Sequence, residues 1–347
     1  MAVLGKKYSF LKLLTIASLL VIGSCKQPAP ESTETKQEAP AAINIPVPAF
    51  NSDSALHYLQ TQVEFGPRVP GTDAHAKCAD YLFQKLKSFG LQTQIQSETI
   101  TTFDNKKFRL KNIIAEYKPE AKQRVLLLAH WDTRPWADHD SVRKDQPFDG
   151  ANDGASGVAV LLEIARLLPA SGLETGIDIL LVDLEDYGQE EDDTRFPRQE
   201  NTWCLGSQFW AKNMHRSDYF AQYGILLDMV GGANPVFPKE GTSLYYAPDV
   251  LSRVWNIAQN MGYGQYFINE PAPQTIDDHL YINQLANIRT IDIVHYDNVK
   301  KEYPPYHHTH GDNLSIIDKN TLNMVGRVVV QTIFTRKVFR RNNGSGI

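Results

Sequence analysis

The sequence predicts a three-layer α/β sandwich, with helices packed on both faces of a central mixed, mostly parallel β-sheet. Three observations carry this. The apolar runs RVLLLAHW (124–131), GIDILLVDLED (176–186) and YGILLDMVGG (223–232) read as buried strands. Segments of helical spacing separate them, and strands alternating with helices build a covered sheet. The three runs end in His-x-Asp, Glu-Asp and Asp, so their carboxyl ends should lie side by side, where open α/β sheets place their sites.

The elements follow in chain order. SALHYLQTQVEF (54–65) and DAHAKCADYLFQKLKSFG (73–90) have helical spacing, with Gly90 closing the second as a C-cap. LQTQIQSETITTF (91–103) and KKFRLKNIIAEYK (106–118) alternate and predict an antiparallel pair. After the first buried strand, the Gly-rich DGANDGASG (149–157) leads into the helix GVAVLLEIARLL (157–168). LGSQFWAKNM (205–214), DVLSRVWNIAQNMG (249–262) and the short DDHLYINQLA (277–286) are further helices. IRTIDIV (288–294) is a strand and NTLNMVGRVVVQTIFTRKVF (320–339) a closing helix. No internal repeat is present.

With 347 residues, 42% of them hydrophobic, the chain can bury one large core, expected over residues 50–340. A net charge of −5, without a basic stripe, argues against nucleic acid as a partner. Residues 1–24 read as a signal peptide: Lys6 and Lys7 precede an apolar run too short for a stable span, ending in small residues. VIGSC resembles the lipobox of bacterial lipoproteins, which implies a diacylated Cys25 as the mature N-terminus and a membrane partner through the lipid. Residues 25–49 have the composition of a disordered tether. The expected location is the outer membrane, facing the periplasm or the cell surface. Lys follows Cys25, which by analogy disfavours inner-membrane retention. The chain is expected to be a monomer. Cys78 and Cys204 are expected as two buried thiols, although an exported location permits a disulfide.

The candidates for chemistry are His130, Asp132, Asp153, Glu185, Asp186, Asp228 and His308, each at a strand end or in the loop after it. Singly, each has a structural explanation. Asp153 could cap the following helix, His130 could be a core histidine, and Glu185 and Asp186 could be solvated. Together they place like charges on one sheet edge, and buried like charges need a cation. Carboxylate with imidazole and no thiolate suits zinc. The Gly-rich loop lacks the Lys-Ser/Thr of a phosphate loop. The acid run Glu190–Asp193 reads as a solvated loop at the rim of the site.

The order His-x-Asp, Asn-Asp-x-x-x-Gly, paired acids, Leu-Asp-Met and His-Thr resembles the zinc aminopeptidase-type (M28-type peptidase) fold from Phe50 to the last helix. Within it, AHWDTRPWAD, DGANDGASGVAVLLEIARLL, DLEDYG followed by TWCLGSQFWA, and DDHLYINQLA are similar to the bacterial glutaminyl-peptide cyclotransferases. The resemblance implies one zinc on Asp153, Asp186 and His308, with Glu185 as proton shuttle. It implies active-site roles for Asp228 and Asp277, the latter otherwise an N-cap. It departs from the animal enzymes at His307, where they have Trp, and at Asp186, where Glu is usual. His310 is the alternative to His308. His130 and Asp132 are expected to brace the site or hold a second metal. The implied reaction closes an N-terminal glutamine of a peptide or protein to pyroglutamate with release of ammonia. The alternative is an aminopeptidase with two metals, the second on His130 and Asp228 with Asp153 bridging. Trp131, Trp203 and Trp210 are candidate walls for the glutamine side chain.

Overall fold

The structure, a computed structural model, describes residues 46–335. The signal segment, Cys25, nearly all of the 25–49 tether and the last residues of the 50–340 domain lie outside them. Two helices, α1 (Ser52–Glu64) and α2 (Asp73–Ser88), come first. Next are β1 (Gln92–Gln96), β2 (Thr99–Thr101), β3 (Lys107–Arg109) and β4 (Asn112–Tyr117). They lead to β5 (Arg124–His130), α3 (Ala155–Leu167), β6 (Gly176–Val182), α4 (Leu205–Lys212) and β7 (Tyr223–Asp228). Then come β8 (Phe237–Lys239), α5 (Gly241–Tyr246), α6 (Pro248–Asn260) and β9 (Phe267–Pro271). The last are α7 (Asp278–Ala286), β10 (Thr290–Val294) and α8 (Lys319–Phe334).

Six strands form the central sheet in the order β1-β4-β6-β5-β7-β10. The β6-β5, β5-β7 and β7-β10 pairs are parallel; β1-β4 and β4-β6 are antiparallel. Side chains alternate between faces along each strand. In β5, Val125, Leu127 and Ala129 enter a core shared with α1, α2, α3, α6 and α8. Leu126 and Leu128 enter a second core with Trp210 of α4 and Ile282 of α7. The helices thus sit on both faces, which is the expected three-layer sandwich.

The two alternating stretches after α2 form an interrupted hairpin instead of one continuous pair. β1 pairs with β4 in the main sheet, and β2 pairs with β3 in a separate two-stranded ribbon. The ribbon's inward side packs Phe108 and Ile100 against Tyr187 in a small satellite core, so the hairpin serves two cores. β8, α5 and β9 have no counterpart in the sequence reading, because three- to six-residue elements carry too few periods to register.

Candidate active site

Three adjacent parallel strands, β6, β5 and β7, end together and deliver the candidate residues to one place. His130 closes β5, Asp228 closes β7, and Glu185 and Asp186 follow β6. The turns there are sharp. Leu184 (φ 55°), Cys204 (φ 58°), Met229 (φ 47°) and His308 (φ 53°) all adopt the left-handed region although none is glycine. Such conformations are costly and collect where the surroundings hold a site in place.

Asp153 does not cap α3. That cap is Gly154, without a side-chain hydrogen bond. Asp153 Oδ1 instead lies 3.0 Å from His130 Nε2. Gly154 permits the approach, since a Cβ there would lie 2.6 Å from the His130 carbonyl oxygen. On the other side, His308 Nε2 is 3.1 Å from Asp186 Oδ1 and 3.7 Å from Asp153 Oδ2. His130 Nε2 also lies 3.3 Å from Asp228 Oδ1. Two donor sets therefore share Asp153: Asp153, Asp186 and His308, and His130, Asp153 and Asp228. His310 is directed elsewhere, with Nδ1 2.7 Å from Asp140 Oδ2.

The first set fits zinc. Its donors lie within 4.8 Å of one another, and two carboxylates with one imidazole leave a fourth position for a ligand. Asp186 Oδ1 is buried and meets no donor in hydrogen-bond geometry; its one close polar neighbour is His308 Nε2 at 3.1 Å, the nitrogen that would join it on the metal. The acids already draw positive charge inward. Burial would lower the His308 imidazole, but Asp186 and Glu190 lift it to about 10. Burial is likewise overridden at His130 by Asp132, Asp153 and Asp228. Burial would raise Asp153, yet His130 and His308 hold it far below the usual carboxylate range.

The remaining acids behave differently. Burial pushes Glu185 well above the ordinary carboxyl range, and Asp186, Asp277 and Asp278 push it further. Burial with the neighbouring Asp228 raises Asp277 to about 7. Asp277 is also the N-cap of α7, accepting from the Asp278 N–H, so its structural and chemical roles coexist. Glu185, Asp228 and Asp277 line the same cavity of about 930 Å³ as Asp153, Asp186 and His308.

Asp132 contacts the chain rather than the cavity. Its two oxygens accept the N–H groups of Glu185 (3.2 Å) and Asp186 (3.3 Å), which brace the turn after β6. His307 lies against His308, ring centroids 3.7 Å apart, and stacks as a flat neutral ring; burial and His308 lower it well below the ordinary value. Of the three candidate tryptophan walls, Trp203 alone lines the cavity. Trp131 is fully buried against His75 and Trp210 lies in the core beneath α4, so neither is a wall. Cys78 and Cys204 are both buried free thiols.

Several residues at the site escaped the sequence reading. The Cys204 thiol donates to Glu185 Oε1 at 3.2 Å. Asp312 accepts the N–H groups of Asn152 (2.7 Å) and Asp153 (3.0 Å), tying the two loops that carry Asp153 and His308. Glu190, expected in a solvated loop, approaches His308 Nδ1 to 3.7 Å. Asp312 follows the HTHG stretch closely enough to be suspected, and the acid run placed Glu190 at the rim of the site though not beside His308; the contact of Cys204 with Glu185 carries no signal in sequence.

A parallel-centred α/β sandwich with acids and histidines at the carboxyl ends of its middle strands is the architecture of zinc exopeptidases. The model for peptidase family M28 matches residues 112–333, and the chain belongs to that family. Among solved structures, a glutaminyl cyclase from Bacteroides thetaiotaomicron is 49% identical with a TM-score of 0.82, covering 84% of this chain and 100% of its own. A leucine aminopeptidase precursor from the same species is 49% identical with a TM-score of 0.81 and the same coverage. The glutaminyl-peptide cyclotransferase of Drosophila melanogaster is 24% identical over 286 residues, 76% of this chain and 75% of its own.

Proposed function

We propose that the protein is a zinc-dependent glutaminyl-peptide cyclotransferase, an acyl-transferring enzyme with one zinc per chain on Asp153, Asp186 and His308. The observation that carries this is the trio Glu185, Asp228 and Asp277, gathered at one cavity beside that donor set. Ring closure of an N-terminal glutamine needs no activated water. The α-amine attacks the γ-carboxamide carbon of its own residue, and a proton passes from that amine to the departing ammonia. Zinc supplies Lewis-acid polarisation of the carboxamide. Glu185 accepts the amine proton and returns it to the leaving nitrogen, a task suited to a carboxyl that burial gives a higher proton affinity than an ordinary carboxylate. Asp228 and Asp277 hold the leaving nitrogen and share protons with Glu185. Trp203 and the stacked His307 flank the flat amide, and the walls fold the residue into near-attack geometry.

An aminopeptidase is the second reading, favoured by the intact set His130, Asp153 and Asp228. Mass spectrometry of a Gln-initiated peptide treated with the purified domain separates the two. Loss of ammonia from an intact chain supports cyclisation; release of the first residue sinks it. Metal analysis reports one zinc or two. We also infer from the lipobox that the protein is anchored through Cys25 to the outer membrane, and we propose that it is a monomer. Cys25→Ser should leave the membrane fraction, and a variant that stays there refutes the anchor.

A further inference from the structure

We propose that Arg134 is a positioning residue that holds two zinc ligands at once: Asp186 directly, and His308 through Asp138 and Glu190. The proposal rests on the ligand set given under the proposed function. Arg134 is 1% exposed, an unusual place for a cation beside a cation site. Its main-chain N–H donates to Asp186 Oδ2 at 2.8 Å, the carboxylate oxygen turned away from His308. Its Nη1 donates to the carbonyl oxygens of Asp186 (3.0 Å) and Gly188 (3.2 Å). Backbone and side chain of one residue therefore fix both the carboxylate and the main chain of Asp186.

The opposite edge of the guanidinium faces acids. Nε donates to both oxygens of Asp138 at 3.0 Å, Nη2 donates to Asp138 Oδ2 at 2.5 Å, and Nη2 lies 3.5 Å from Glu190 Oε1. These two carboxylates bracket the ring nitrogen of His308 that faces away from Asp186. Nδ1 is 3.7 Å from Asp138 Oδ1 and 3.7 Å from Glu190 Oε1, and is buried without another partner. A histidine that binds metal through one nitrogen is oriented by a carboxylate at the other. Two acids in that place would repel each other without a cation between them, and Arg134 is that cation. Its Cζ also lies 4.6 Å from the Trp203 ring centroid, and that ring stacks near His308 at 12° between planes. Lysine has the charge but not the planar fork, so it cannot reach Asp138 and the two carbonyls together.

The test measures zinc affinity by chelator competition and the visible spectrum of the cobalt(II)-substituted protein, with thermal unfolding of the zinc-stripped form. Arg134→Lys should weaken zinc binding roughly ten- to hundredfold and shift the cobalt spectrum, while the melting of the stripped protein reports separately what the lost contacts cost the fold. Unchanged affinity and spectrum would overturn the proposal. Should Arg134→Lys not fold, Glu190→Gln decides, since its side chain is 25% exposed and tolerates the change. An approximately tenfold weaker affinity there supports the relay, and an unchanged one refutes it. Asp186→Ala separates the two levels. If it keeps zinc, the ligand set falls and the proposal with it. If it loses zinc while both other variants keep it, only the positioning role falls.

Discussion

At the scale of single residues, Glu185 shows how the surroundings prepare a proton carrier. Its N–H is held by Asp132, one carboxylate oxygen accepts from the Cys204 thiol, and the other lies 3.8 Å from His130 Nδ1. Burial raises its affinity for a proton while these contacts fix its direction. Glu185→Gln keeps the shape and removes the proton transfer. Turnover should fall by roughly 10²–10⁴-fold with zinc content unchanged, read from ammonia release and metal analysis. A variant keeping a tenth of the normal rate would remove Glu185 from the reaction. The acids and histidines of the site were legible as a group, because each alone has a structural explanation but their convergence on one sheet edge does not. Arg134 and Cys204 were not, and Glu190 was legible only as an acid at the rim. Each looks like a surface or core residue until the loops fold and bring partners distant in sequence within reach.

At the scale of elements, the buried strands β5, β6 and β7 announced themselves through long apolar runs, whereas the short β8 and β9 did not. The close packing of α3 on β7 was also hidden, because it depends on a missing side chain. A Cβ on Gly157 would lie 2.1 Å from the carbonyl oxygen of Leu227, a backbone atom that cannot rotate away. Helix α3 must therefore withdraw from β7 if any side chain is added. The loop carrying Asp153 enters this helix, and Asp228 follows Leu227, so the shift would pull apart the pair of carboxylates that meet at His130. Gly157→Ala should cost about 1–3 kcal/mol or more in stability despite alanine's better helix propensity. It should also weaken zinc binding. Denaturant unfolding and chelator competition check both, and a variant as stable as the parent would show that α3 can yield.

At the scale of the whole molecule, the site is a charge problem whose balance depends on pH. Burial, with Asp153 nearby, raises Asp186 to about 6 and Asp312 to about 8, and Asp277 stands at about 7. Between about pH 4, where these groups titrate in the unfolded chain, and their folded values, the native protein binds more protons than the unfolded one. Their contribution to stability is full below about pH 4 and is lost as pH rises through 6, 7 and 8. The raised histidines act with the same sign, and His308 loses its contribution only toward about 10. Asp153, held low, works in the opposite sense but only below about pH 4; His307, also held low, opposes them up to the ordinary histidine value of about 6.5. Once the lowered histidine is neutral in both states, the zinc-stripped protein should lose stability from about pH 6.5 to 8, by about 1.4 kcal/mol per pH unit for each excess proton. Zinc has the reverse dependence. It must displace the proton of His308 below about pH 10 and also that of Asp186 below about pH 6, so its affinity should fall as pH falls, and more steeply through about 6. The rise in melting temperature on adding zinc should consequently be much larger at pH 8 than at pH 5. Equal rises at the two pH values would mean that these carboxyls carry no extra protons in the folded chain, and that the acids are balanced by something other than the cation.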